Sequence, residues 1–174
     1  MKKQKGFSLI ELLIVVAIIL IIAAIAVPNL LRSRMAANES SAAGSERTIA
    51  TSNVTYSTTY GIGFASVLSF LTTDGGPATS IAADLIDTTL GIANVKSGYN
   101  FSTYTPGPEA GTLADPINSY TVVATPVSTN VSGVSTFCVD QTNVVRKDAS
   151  GTNTPASTPT LSCDDGTGTY FPPM

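Results

Sequence analysis

The chain has 174 residues, nine basic and twelve acidic side chains, a net charge of −3 and only 12% charged residues beside 43 Ser and Thr. That length holds one ordinary domain plus an appendage, which excludes a multidomain machine. With no His and no Trp, imidazole bases, His-ligated metals and Ser/His or Cys/His nucleophiles are removed, and the acidic balance gives no basic face for nucleic acid. Neither an enzyme nor a cofactor is expected.

Lys2, Lys3 and Lys5 precede an apolar run from Phe7 to Val27 whose only polar side chains are Ser8 and Glu11. As a helix this run extends about 31 Å, the thickness of a bilayer's hydrocarbon core. The lysines place its start in the cytoplasm and the remainder outside, although Arg32 and Arg34 weaken that bias. A secretory signal peptide cut after Ala24-Ile25-Ala26 and a plain membrane anchor are both compatible with such a run. Neither explains Glu11, whose placement costs up to roughly 3 kcal/mol at mid-bilayer. Pro28 lacks an N–H and its ring crowds the carbonyl of Ala24, so a kink or local melting is expected there, with a simple bend at the membrane surface as the alternative.

From Asn29 to Tyr60 the chain is rich in Ala and Ser, and Leu31, Met35, Ala42, Ile49, Val54, Tyr56 and Tyr60 recur at mixed spacings near three to four. A helix is supported, though not cleanly, and Gly61 with Gly63 makes its stop. Unbroken from Phe7 to Tyr60, it would extend roughly 80 Å and need a second partner along its length. Tyr56, Tyr60 and Phe64 then serve to pack that helix rather than to form an aromatic path.

After Gly61 short apolar runs alternate with Gly, Pro and Asn. Phe64 to Leu71 and Ile81 to Ile92 read as short helices. Lys96 to Thr105, Ser119 to Thr125, Val134 to Asp140 and Asn143 to Arg146 read as strands, with Asp140 to Asn143 as a tight turn in which Asn143 can go left-handed. Thr105 to Asn118 and Lys147 to Met174 read as loop and tail. The fold class is α+β, a long N-terminal helix packed on a small antiparallel sheet. Cys138 and Cys163 are the only cysteines; outside the cytoplasm they should form a disulfide that pins the tail, two free thiols being the alternative. The N-x-S/T triplets at Asn38, Asn53, Asn100 and Asn130 arise readily by chance in so hydroxyl-rich a chain.

Gly6-Phe7-Ser8-Leu9-Ile10-Glu11-Leu12-Leu13 (GFSLIELL) resembles the class III leader junction of type IV pilins and pseudopilins, and the apolar helix reaching Pro28 is similar to theirs. Arg47 to Tyr60, KSGYNF, SYTVVATP and FCVDQTNVVR resemble the family more loosely, while Asp74 to Asp87 and the tail after Lys147 match nothing in it. The resemblance implies a leader over residues 1–6 and a transmembrane or fibre-core half-helix over 7–31. It further implies an amphipathic half-helix over 32–60 and a head over 61–174. It implies a prepilin peptidase that cuts after Gly6 and methylates the new amine of Phe7, and Glu11 meeting the Phe7 amine of a neighbouring copy. An inner-membrane precursor, drawn from the lipid bilayer by an ATPase-driven assembly platform, would become a helical homopolymer, an extracellular type IV pilus. The alternative within the family is a pseudopilin of type II secretion forming a short periplasmic piston. By analogy with pseudopilin calcium sites, Asp140, Asp164 and Asp165, with Asp148 nearby, are weak Ca²⁺ candidates; lacking D-x-D-x-D-G spacing, they read better as a solvated acidic surface.

Overall fold

The computed structural model describes residues 7–151, 162, 163 and 174. It divides after Arg34 into two units, each taken by itself. Helix α1, Leu9–Tyr60, contributes to both, and Pro28 lies inside it.

In the unit from Met35 on, α1 buries Ala42, Ala43, Ser45, Glu46, Ile49, Ala50, Ser52, Asn53 and Tyr56. These fall in four pairs and the single Tyr56, three or four residues apart, which is one face of a helix. Most are small, so much of the bulk at the contact comes from the aromatic side chains of the sheet. The exposed face is threonine-rich, and Thr48, Thr51, Thr55 and Thr58 each donate a hydroxyl hydrogen bond to the carbonyl four residues back. Leu31 and Val54, expected on the apolar face, are exposed; Ser45, Glu46, Ser52 and Asn53 occupy the buried stripe, so hydropathy alone blurred a clean helical period.

Gly61 ends α1 at φ +70, its amide donating to the Ser57 carbonyl. Gly63 follows at φ +83, and a Cβ there would lie 2.1 Å from the Ile117 carbonyl oxygen, so only glycine fits. The two helices expected next shrink to single turns. A 3₁₀ turn, Leu68–Leu71, buries both its terminal leucines. Helix α2 covers only Thr88–Gly91, because Asp84 takes a left-handed φ of 52 and Asp87 starts the helix by accepting the Leu90 amide. Lys96 first, then Thr89, holds the Asp87 carboxyl down to about 2.

The sheet is an antiparallel meander in sequence order: β1 Val95–Lys96, β2 Tyr99–Pro106, β3 Tyr120–Pro126, β4 Thr136–Asp140 and β5 Arg146–Asp148. The strand expected over Lys96–Thr105 is instead a hairpin, since Ser97 and Gly98 both take positive φ and Lys96 pairs with Tyr99. The last strand lies beyond its expected Asn143–Arg146. The Asp140–Asn143 turn does form, with Asn143 at φ 59 and its amide on the Asp140 carbonyl, but the chain continues through buried Val145 before pairing resumes at Arg146.

Alternation along the strands gives the sheet two faces. Tyr99, Phe101, Tyr120, Val122, Ala124, Phe137 and Val139 join Ile49, Tyr56, Leu71 and Leu90 in the helix-facing core. Val123 and Cys138 point the other way and meet Cys163. The Cys138–Cys163 disulfide, with Cα atoms 5.8 Å apart, holds the tail to that far face. Asp140 supports the same junction: one oxygen accepts the Thr142 amide and hydroxyl, the other the Cys163 amide at 2.8 Å and the Ser162 hydroxyl.

Glu39 joins α1 to the sheet by accepting the Val134 and Ser135 amides at 3.0 and 3.1 Å and the Lys147 ammonium at 3.1 Å. Burial opposes its charge, yet those donors together more than offset it and hold the carboxyl below its ordinary value. Two outcomes follow, both measured by chemical denaturation of the detergent-solubilised chain. Glu39→Ala should cost about 1–3 kcal/mol near pH 7. That cost should shrink near pH 3, because the stabilisation is present above the ordinary carboxylate pKa and lost as pH falls through the lowered folded value. Reducing the disulfide, whose cysteines are 25 residues apart, should remove roughly 3 kcal/mol, read as a lower denaturation midpoint with reductant.

Candidate functional site

The processing and assembly residues expected from the sequence converge on the start of α1. Gly6 lies outside the described residues; Phe7, Ser8 and Glu11 do not. Ser8 stands at the N-cap, its carbonyl accepting the Leu12 amide at 3.3 Å. Glu11, three residues on, turns its carboxylate back to accept the Ser8 amide at 2.9 Å. This is one arm of a capping box, the arrangement that satisfies an amide left over at a helix start. Phe7 and Leu12 occupy the two positions of a hydrophobic staple around it. The pattern F-S-L-I-E-L is therefore a helix-initiation signal in its own right, and an anion there also complements the positive end of the helix dipole.

Beyond Glu11 the first unit presents no polar surface until Pro28. Large apolar side chains from Leu9 to Leu31 stand 46 to 80% exposed. They face outward on every side of the helix, and the segment is long and apolar enough to cross a membrane. Leaving one such side chain in water costs roughly 1.5–3 kcal/mol, so an unshielded run of this size is not a water-facing surface.

The acidic group at the other end of the chain behaves differently from a ligand set. Asp140 is fully buried, with its oxygens taken by its own chain's donors as described above; Asp164 and Asp165 lie outside the described residues. Among the described residues no three His, Cys, Asp or Glu side chains cluster as a metal site. Two helix carboxylates to which the sequence assigns no role stand on the sheet-facing side of α1: Glu39 ties the helix to the sheet, and Glu46 is fully buried. Residues 39, 42, 46, 49, 53 and 56 alternate at three and four, and that spacing exposes the pattern once polar members are admitted.

The prokaryotic N-terminal methylation motif matches residues 1–27. Over 39 residues the chain is 62% identical to the type IV wide pilus major component PilA4 of Thermus thermophilus, which covers 22% of this chain and 30% of that protein. Both findings support a type IV pilin family. The relative is a structural pilus component rather than an enzyme. The match spans under a third of that relative's length, and no solved structure matches the chain. The motif match thus covers residues 1–27, while the α+β arrangement after them is known from its own geometry.

The cap assigns a measurable role to Glu11 within its own chain. In detergent micelles, Glu11→Ala should raise amide exchange over Ser8 to Leu12 several-fold and leave the head's exchange unchanged, consistent with a cap worth about 1 kcal/mol.

Proposed function

We propose that this chain is a pilin precursor, cleaved after Gly6, N-methylated at Phe7 and polymerised through its N-terminal helix into an extracellular type IV pilus. Residues 1–6 are the leader, 7–31 the membrane and fibre-core segment, 32–60 the part of the helix that carries the head, and 61–174 the head. The observation that carries this reading is one acid, Glu11, at the start of an otherwise wholly apolar and wholly exposed helical surface.

Glu11 already accepts the amide one residue after Phe7. Cleavage would create an ammonium at Phe7 beside it, and a carboxylate can be shared between an amide of its own helix and an amine of the next copy. In an apolar bundle an ion without a counter-ion costs several kcal/mol, so the pair selects axial register by rejecting the wrong one. The apolar face meanwhile exchanges lipid for identical helices at little net hydrophobic cost, which is why an ATPase-driven platform can move it. Pro28 places a weakened hydrogen bond at Ala24, a position for the fibre to bend.

The head, with three basic and nine acidic residues from Gly61 on, makes an acidic, hydroxyl-rich sheath that keeps fibres apart at low salt. The PilA4 relative favours the pilus over the secretion piston.

Glu11→Ala should leave the precursor in the inner membrane and abolish sheared surface fibres, scored by fractionation and immunoblot. Mass spectrometry of fibres from the unaltered strain should read a first residue of N-methylated Phe7. Fibres at normal yield from the variant would remove the role of Glu11. Confinement of the chain to the envelope, with loss of exoprotein secretion on deletion, would replace the pilus by the piston.

A further inference from the structure

Glu46 is a second acid without an obvious purpose, and its surroundings are unlike those of Glu11 and Glu39. It sits two turns after Glu39 on the buried stripe of α1 and is 0% exposed. Neither carboxyl oxygen completes a hydrogen bond. The backbone amide of Ala124 on β3 is turned toward it. That point of the sheet is irregular: between the Asn100–Thr125 and Thr103–Val123 pairs, two residues of β2, Phe101 and Ser102, oppose Ala124 alone. The bulge brings an imperfectly paired stretch of backbone over the acid.

Among the described residues no cation offsets it. On α1, Arg47 is exposed and Glu39 is paired with Lys147. From β2 and β3 the titratable groups are the phenols of Tyr99, Tyr104 and Tyr120, the last two stacked with ring centroids 6.0 Å apart; burial keeps all three in the neutral form. Asp140 on β4 belongs to the far face, with Cys138 and Cys163. On β5 the helix-side cation is Lys147, held by Glu39. Lys96 of β1 is engaged by Asp87, the cap of α2, and the 3₁₀ turn carries no charge. One helical repeat beyond Glu46, Asn53 accepts the Ala65 amide and the Tyr104 hydroxyl.

We propose that Glu46 is carried in the folded unit from Met35 on as a neutral carboxylic acid, and that its ionisation as pH rises loosens the packing of α1 on the sheet. A carboxylate buried with no cation and no completed hydrogen bond is far costlier than the uncharged acid, so the fold selects the acid. Burial accordingly raises this group well above the ordinary 4.5, with the Ala124 amide offsetting only part of the effect. The unfolded chain ionises near that ordinary value and the folded unit only well above it. Between the two values the folded state holds one more proton than the unfolded state. Stability from this group is therefore greatest in acid and falls with rising pH, by up to about tenfold in the unfolding constant per pH unit, until the folded group itself ionises. This is opposite in sign to Glu39, so this unit has its best stability between the two effects. The inference concerns the unit from Met35 on and does not depend on fibre assembly.

The test compares the full chain with Glu46→Gln in detergent micelles, unfolded chemically from about pH 5 to pH 9 and followed by tyrosine near-ultraviolet dichroism. The expected result is a ratio of unfolding constants, unaltered chain over variant, that grows by up to about tenfold per pH unit across the lower part of that range. A ratio that stays constant with pH would overturn the proposal. Infrared spectroscopy of the unaltered chain keeps the question decidable if the variant fails to fold. A protonated-carboxyl band that persists above the range in which ordinary carboxylates ionise supports it, and loss of that band together with theirs refutes it.

Discussion

An apolar surface that no part of its own unit covers is the constraint on which the rest depends. From Leu9 to Leu31 the side chains of α1 point outward all round the helix. A soluble amphipathic helix would show one such face; this segment shows no polar face at all. Lipid or the same surface on other copies can satisfy it, and both are compatible with one sequence because both are apolar. What distinguishes them is charge, and Glu11 is the only charge within the run.

Past Arg34 the same helix follows a different rule. Its buried stripe mixes Ala and Ser with Glu46, Asn53 and Tyr56, so little of the bulk at the contact with the sheet comes from the helix. The large side chains come from the other side: Tyr99, Phe101, Tyr120 and Phe137 are all buried against that stripe. Small-on-large packing of this kind fills the space between helix and sheet and leaves the polar members of the stripe without solvent. Some are answered, as Asn53 Oδ1 is by Ala65 and Tyr104, and Tyr56 donates to the Ser80 carbonyl. The far face of the sheet is closed differently, by the disulfide and the Asp140 contacts, which fasten Cys163 where a second layer of structure would otherwise lie.

The sequence made the helix and its glycine stop legible because both rest on local rules: an unbroken run of good helix formers, then Gly61 and Gly63 at positive φ. Strand content was legible through β-branched and aromatic runs, and the Asn143 turn through its side-chain chemistry. The Ser97-Gly98 hairpin was missed because the aromatic residues after it extend the β pattern across the turn; the positive-φ dipeptide was the available signal. Ile81–Ile92 looked helical by hydropathy, yet Asp84 and Asp87 mark a left-handed residue and a cap, which tertiary contacts to Phe70, Leu71 and Thr72 reinforce. The apolar site with Glu11 was readable from composition. The burial of Glu46 was not, since nothing local distinguishes an acid under a sheet from one in water.

Three glutamates on one helix show how far environment, rather than residue type, decides what a carboxylate does. Glu11 lies at an exposed helix start and answers an unsatisfied amide, which leaves its charge useful to whatever amine comes beside it. Glu39 lies at the edge of the sheet, where two amides and an ammonium outweigh partial burial and keep it ionised. Glu46 lies seven residues further along the same stripe, under the bulge, where the donors run out and the uncharged form prevails. The order follows the chain from the surface into the core, and each step removes compensation for charge. A helix that carried only apolar residues at these three positions would bury more hydrocarbon, but it would lose the cap at its start and the tie from Glu39 to β5. It would also lose the pH response at its centre, so the acids are better understood as position-specific devices than as residual polarity.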